Sequence, residues 1–187
     1  MFTKSVFTAI LLALLFQGCS KSKEENRTEN ANAMISTNEY VLSTITHKQA
    51  VVAKKDEGFI VNGAEDKVVI FDIFATWCPP CRAEATHLTS LQKKYKDNLI
   101  VIGITVEDAI SDAKLKQFAQ DNNAKYMLVN SNENKRLIKD ITTRLQVGNN
   151  FPIPLMAMYK DGKLINKYIG ATQEEFIESD IKRALGK

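Results

Sequence analysis

Apolar residues fall into two kinds of pattern along the chain. In VVIFDIFA, residues 68–75, and LIVIGITV, residues 99–106, they are nearly continuous and rich in β-branched and aromatic side chains. That is the pattern of central strands buried on both faces. Elsewhere they recur at helical spacing. Between Pro79 and Tyr95, Leu88, Leu91 and Tyr95 form one stripe, and proline suits a first helical turn. Asp112–Asn122 turns Leu115, Phe118 and Ala119 inward, and Glu133–Gln146 does the same with Leu137, Ile138, Ile141 and Leu145. Lys125–Val129 reads as a third strand. Leu155–Tyr159 and Leu164–Ile169 flank Asp161-Gly162, a turn pair that joins antiparallel strands. Thr172 and Glu175 fit a capping box ahead of a last helix with Phe176, Ile177, Ile181 and Leu185 inward. Tyr40–Thr46 and Gly58–Asn62 read as short strands. From residue 68 onward the order β-α-β-α-β-α-β-β-α predicts an α/β sandwich. Its main sheet is parallel at first and ends in an antiparallel hairpin.

The first 37 residues follow other rules. Lys4 precedes an apolar run from Val6 to Phe16 that only Thr8 interrupts. Eleven residues of helix span about 16 Å, short of the roughly 30 Å of a bilayer core. A cation followed by a short apolar run is an export signal, here residues 1–18. Leu15-Phe16-Gln17-Gly18-Cys19 resembles a bacterial lipoprotein cleavage box, with Phe16 and Gln17 bulkier than usual. The resemblance implies that Cys19 becomes a lipidated first residue. Residues 19–37 carry no aromatic side chain, and Lys21, Lys23 and Arg27 balance Glu24, Glu25 and Glu29. Such a segment has too little apolar surface to fold and reads as a tether. Residues 38–187 then form one domain of ordinary size.

Composition narrows the function. The 187 residues are 44% hydrophobic and 25% charged, as in a globular protein. A formal charge of +3, with no basic stripe, argues against nucleic acid as a partner. Three cysteines are too few for a disulfide scaffold. Their placement matters more.

Cys78-Pro79-Pro80-Cys81 opens the first predicted helix. Two cysteines so spaced can close a small disulfide ring. A helix N-terminus carries unpaired N–H groups and positive partial charge, which stabilise a thiolate. Cys78 at the cap is therefore the attacking sulfur. Cys81, one turn deeper and less exposed, resolves the mixed disulfide. Pro79 and Pro80 have no N–H, so Cys81 supplies the nearest backbone donor and the thiolate is stabilised only moderately. This favours a reductant or mild exchanger over a strong oxidant. A zinc site needs about four ligands. No second cysteine pair exists, His87 lies six residues past Cys81, and His47 is far away in sequence. No metal or other cofactor is expected beyond the redox-active disulfide. A purely structural bridge across two residues would constrain the unfolded chain little.

Asp72 interrupts the apolar run six residues before Cys78. A carboxylate held under the dithiol has its proton affinity raised by desolvation and can take the Cys81 proton. The competing reading is an Asp that faces solvent. Glu84, three residues past Cys81, shares its helix face and is a second acid/base candidate beside the reading of a solvated surface residue.

Phe74-Ala75-Thr76-Trp77-Cys78-Pro79-Pro80-Cys81-Arg82-Ala83-Glu84 resembles the thioredoxin superfamily, in its membrane-tethered TlpA/ResA-like branch, over about residues 60–187. The resemblance implies a thioredoxin-like fold: a central mixed sheet flanked by helices, with a β-α insertion between Val106 and Pro154. It puts the family's buried aspartate at Asp72, where many of this branch have Asn, and the branch's glutamate at Glu84. It puts the cis-proline facing the dithiol at Pro154, with Pro152 the rival, and the glycine ending the last strand at Gly170. The Ile153 backbone then pairs with an extended substrate segment, and Trp77 covers Cys78 and shapes that surface. Two features depart from the family pattern. Thr86 replaces a helix-kinking proline, and VGNNFPIP, residues 147–154, is a longer approach to the cis-proline.

Together these readings predict a lipid-anchored thiol–disulfide oxidoreductase on the periplasmic face of a bacterial membrane. It is expected to be a monomer, to receive electrons from a membrane thiol reductant of DsbD/CcdA-like type, and to reduce disulfides in exported proteins. The resemblance makes apocytochrome c, and so cytochrome c maturation, a plausible client. The alternatives are a thiol oxidase and a non-catalytic binding module that keeps the fold.

Overall fold

The computed structural model describes residues 38–187, so the export signal, Cys19 and the tether of 19–37 lie outside the described residues. The elements run β1 (Glu39–Ser43), β2 (Gln49–Lys54), β3 (Phe59–Val61), β4 (Val68–Phe74), α1 (Pro79–Lys94), β5 (Leu99–Thr105), α2 (Asp112–Asp121), β6 (Met127–Val129), α3 (Asn134–Leu145), β7 (Leu155–Lys160), β8 (Lys163–Ile169) and α4 (Glu174–Ala184).

The main sheet has the order β6-β5-β4-β7-β8. β4, β5 and β6 are parallel, β7 runs antiparallel to β4, and β8 runs antiparallel to β7. All seven residues of β4 are buried, as a central strand requires. Alternation then assigns its side chains to two faces. Val69, Phe71 and Ile73 enter a core shared with α3 and with the small β1-β2-β3 sheet. Val68 and Ile70 face Leu88 and Leu91 of α1 and Ile177 and Ile181 of α4. Phe74, on that same face, packs beside Cys81 and Ala85 of α1 and Phe118 of α2. Asp72 lies between Ile70 and Phe74 and so points to the α1 side. A mixed sheet between helices is the expected thioredoxin-like fold, and α2-β6-α3 forms the segment between Val106 and Pro154.

Asp161 and Gly162 both have positive φ, 53° and 76°. That is the two-residue turn that suits the twist of a hairpin, and glycine supplies the second position without a Cβ penalty.

Three sequence expectations need correction. The strand β2 buries only Ala50 and Val52, too few apolar positions to announce itself, yet it joins the two strands expected around it into one antiparallel sheet. Phe176 is 63% exposed and not inward; only Ile177 and Ile181 of its stripe are fully buried. The capping box is not formed. Gln173 is the N-cap of α4, without a side-chain cap, because Thr172 is engaged by Glu84 and Gly170.

Candidate active site

Cys78 and Cys81 form a disulfide with Cα atoms 5.3 Å apart. Cys78 is the N-cap of α1, with extended φ and ψ of −80° and 113°, and Pro79 and Pro80 occupy the first helical positions. The prolines have no N–H to leave unpaired. The first free donor, the Cys81 N–H, points at Cys78 Sγ across 3.3 Å. The helix thus directs one backbone donor at one sulfur. Exposure does not separate the two as expected: Cys78 is 2% and Cys81 1% exposed. The cover over Cys78 includes the segment before β7, whose Ile153 carbonyl oxygen lies 3.7 Å from Sγ. Trp77 is 61% exposed, which excludes a role in core packing and places an apolar surface next to the dithiol.

The Ile153–Pro154 peptide bond is cis, so Pro154 and not Pro152 holds that position. Pro154 accepts from the Gly170 N–H at 2.8 Å. Thr172, two residues on, donates its N–H to Glu84 Oε2 at 2.8 Å. Glu84, on α1, is 1% exposed, which rules out a solvated surface role. A line of contacts therefore runs from α1 through Glu84, Thr172 and Gly170 to Pro154, and through Ile153 back to Cys78. Among the described residues Glu84 Oε1 has no hydrogen-bond partner, and it faces His87 Nδ1 at 3.9 Å. Burial raises the Glu84 carboxyl above its ordinary range, against the opposing pull of the Thr172 N–H and His87.

Asp72 is 2% exposed in mid-strand, which excludes the solvent-facing reading. Its Oδ2 accepts from the Tyr126 hydroxyl at 3.2 Å, and its Oδ1 has no partner among the described residues. Burial pushes its carboxyl up to about 7; Tyr126 works against this and the charge of Glu84 adds to it. A carboxyl poised there can hold or release a proton near neutrality.

Two residues of this region escaped the sequence reading. Tyr126 is one. Glu107 is the other: it accepts the Thr76 N–H at 2.6 Å and the Thr76 hydroxyl at 3.0 Å. Its position just past a parallel strand, where open α/β sheets gather functional groups, was a usable signal. Among the described residues no group of three or more His, Cys, Asp or Glu could hold a metal ion.

The sequence matches the redoxin family over residues 38–185. The chain belongs to that family. Among its curated relatives, Thioredoxin-T of Drosophila melanogaster is 30% identical over 110 residues, 54% of this chain and 69% of that protein. Thiol-disulfide oxidoreductase ResA of Bacillus thuringiensis (strain Al Hakam) is 26% identical over 143 residues, 71% of this chain and 78% of that protein. The match to Thioredoxin-1 of Drosophila melanogaster spans only 44% of that protein. The fold is similar to that of a thiol:disulfide interchange protein from Chlorobium tepidum TLS, with a TM-score of 0.61 at 19% identity over 80% of this chain and 94% of that one. The resemblance to the TlpA/ResA-like branch of the thioredoxin superfamily therefore holds, and this redoxin is a thiol–disulfide oxidoreductase of thioredoxin type. Among the described residues no helix is long and apolar enough to cross a membrane.

Proposed function

We propose that this redoxin works as a reductant, held by a lipid on Cys19 at the periplasmic face of a bacterial membrane, and that it reduces disulfides in exported proteins. Apocytochrome c is a fitting client, and a membrane thiol reductant of DsbD/CcdA-like type would restore the dithiol. The observation that carries the direction is the single backbone donor, the Cys81 N–H, on Cys78 Sγ. One donor favours the thiolate without stabilising the reduced form strongly, and a strong oxidant needs the latter.

In the reducing direction Cys78 thiolate attacks a client disulfide lying along Ile153. The client S–S bond breaks, a Cys78–client bond forms, and the first client thiolate leaves. Cys81 then gives its proton to a buried carboxylate, Asp72 or Glu84, and attacks Cys78 Sγ. The Cys78–Cys81 bond forms and the second client thiolate leaves, so two electrons pass to the client. The Ile153 backbone, just ahead of β7, is where an extended client segment would pair like an added strand, and Trp77 offers it apolar surface.

Equilibration with glutathione tests the direction. A potential in the range of thioredoxin, about −270 mV, is expected. A value near about −120 mV, that of a strong oxidant, would reverse the assignment. Detergent-phase partitioning that is lost on Cys19→Ser is the expected sign of the anchor; wild-type protein that stays in the aqueous phase overturns it.

A further inference from the structure

Among the described residues, the Asp72 carboxyl accepts one hydrogen bond, and it comes from two strands away. The donor, Tyr126, stands immediately before β6 at the edge of the sheet. In register, Asp72 lies opposite Gly103 of β5, and Gly103 lies opposite Leu128 of β6. To reach Asp72 the phenol must cross β5, and it crosses at Gly103. A Cβ there would stand 3.0 Å from Tyr126 Cε2 and 2.6 Å from Leu128 Cδ2. Any side chain at 103 would push the ring aside or displace the strand beside it. The φ of Gly103 is not positive, so the glycine serves clearance and not a special backbone conformation. The same ring packs against the cluster that contains Cys78, Cys81, Phe74 and Ala85. Tyr126 therefore touches both the buried carboxyl and the surroundings of the dithiol.

We infer that Tyr126, admitted across β5 by Gly103, is a positioning residue of the dithiol chemistry, orienting the Asp72 carboxylate that accepts the Cys81 proton. The inference rests on the proposed role of Asp72 as that acceptor. A phenol donates more strongly to a carboxylate than to a carboxylic acid, so it favours the ionised form. Burial raises the Tyr126 hydroxyl well above its ordinary value, with the Asp72 charge adding to this, so it stays a donor throughout the working range. The titratable groups bearing on Asp72 are Tyr126 from the β6 side, Glu84 from α1 and, once reduced, Cys81. The strands on either side place Gly103 and Met156 opposite it, and neither titrates.

The test uses the full chain in four forms: wild type, Tyr126→Phe, Asp72→Asn and the double variant. In the reduced protein the Cys78 thiolate attacks 5,5′-dithiobis(2-nitrobenzoate): the reagent's S–S bond breaks, one nitrothiobenzoate leaves as the first coloured thiolate and the other stays on Cys78. Cys81 then displaces it: the Cys78–reagent bond breaks, the Cys78–Cys81 bond forms, nitrothiobenzoate leaves as a coloured thiolate, and the Cys81 proton passes to Asp72. The rate of this second release is followed against pH. The Asp72 carboxyl is followed in parallel by carbon NMR. Tyr126→Phe keeps the ring and is expected to raise the Asp72 midpoint by about one pH unit, a tenfold change in proton affinity. The release profile moves with it and the rate at neutral pH falls several-fold. In the Asp72→Asn background the same change has no further effect. An unmoved midpoint in Tyr126→Phe overturns the inference, and so does equal slowing in both backgrounds, while Asp72 keeps its role. If Asp72→Asn itself leaves the profile untouched, the role of Asp72 falls and the inference with it.

Discussion

Thr76 gives Glu107 both its backbone N–H, at 2.6 Å, and its hydroxyl, at 3.0 Å, so that one carboxylate holds the turn entering the dithiol by two bonds. The Thr76 carbonyl meanwhile accepts from Arg82 Nε of α1 at 2.9 Å. The β4–α1 turn is thus held from the end of β5 and from the helix that follows it. Burial works to raise the Glu107 carboxyl, but Lys114, at 2.8 Å, and the two Thr76 donors outweigh it and hold it below the ordinary range. A carboxyl whose folded value is depressed contributes stability above its unfolded value and loses it as pH falls through the folded one. The clamp is therefore complete at neutral pH and opens only in acid. Glu107→Ala leaves the Thr76 N–H unmet and is expected to cost about 1–3 kcal/mol in urea unfolding at neutral pH. Glu107→Gln keeps one acceptor and costs less. Equal losses for the two variants would show that the carbonyl-type oxygen is not what matters.

Asp72 carries the opposite sign. Its folded value of about 7 stands above the ordinary 3.8. Between those values the folded chain binds more protons than the unfolded one, so stability falls as pH rises from about 4 to about 7 and then levels off. The span amounts to about 4 kcal/mol. Asp72→Asn removes the charge and with it this loss. In the oxidised form, the variant is expected to match wild type near pH 4 and to exceed it increasingly up to pH 8. A difference that does not change with pH would mean that Asp72 does not titrate in this window.

How much of this the sequence disclosed follows from where each signal lies. β4 and β5 were legible because strands buried on both faces need unbroken apolar runs, and Asp72 was conspicuous as the one break in the first. Cys78 and Cys81 were legible because their chemistry is local to one helix start. Residue 154 came from a resemblance and not from any local pattern. Tyr126 was hidden inside an expected strand, since its bond to Asp72 depends on clearance over Gly103, a fact of sheet register. Phe176 misled because helical spacing marks a face without saying how far the sheet beneath it extends. The exposure of Cys78 misled for a similar reason: its cover comes from residue 153, 75 positions away.

Glu84 connects α1 to the loop behind the cis-proline, and that connection can be cut selectively. Glu84→Ala leaves the half-buried Thr172 N–H without its acceptor, at a cost of about 1 kcal/mol. Glu84→Gln retains an oxygen and is expected to keep most of that stability. The loop should loosen before the molecule unfolds. Hydrogen exchange at the Gly170 amide, which bonds Pro154, is therefore expected to quicken in the Ala variant and not in the Gln variant. Unchanged exchange at Gly170 in the Ala variant would mean that Glu84 does not hold this loop.

The two sulfurs are equally covered in the disulfide, so any difference in their reactivity must come from charge stabilisation once the bond is reduced. Cys78 has the helix N-terminus and the Cys81 N–H directed at it. Cys81 lies inside the first turn, and among the described residues no backbone N–H is directed at its sulfur. A thiolate favoured by about one pH unit is about tenfold more populated below its midpoint. In the reduced protein, iodoacetamide is expected to modify Cys78 about tenfold faster than Cys81 at pH 7, with the gap closing above pH 9. Cys81→Ser should then accumulate a stable mixed disulfide on Cys78, because the sulfur that would release the client is missing. Cys78→Ser should accumulate none. Equal alkylation of the two sulfurs, or trapping through Cys81 instead, would remove the helix start as the source of the reaction's direction along the chain.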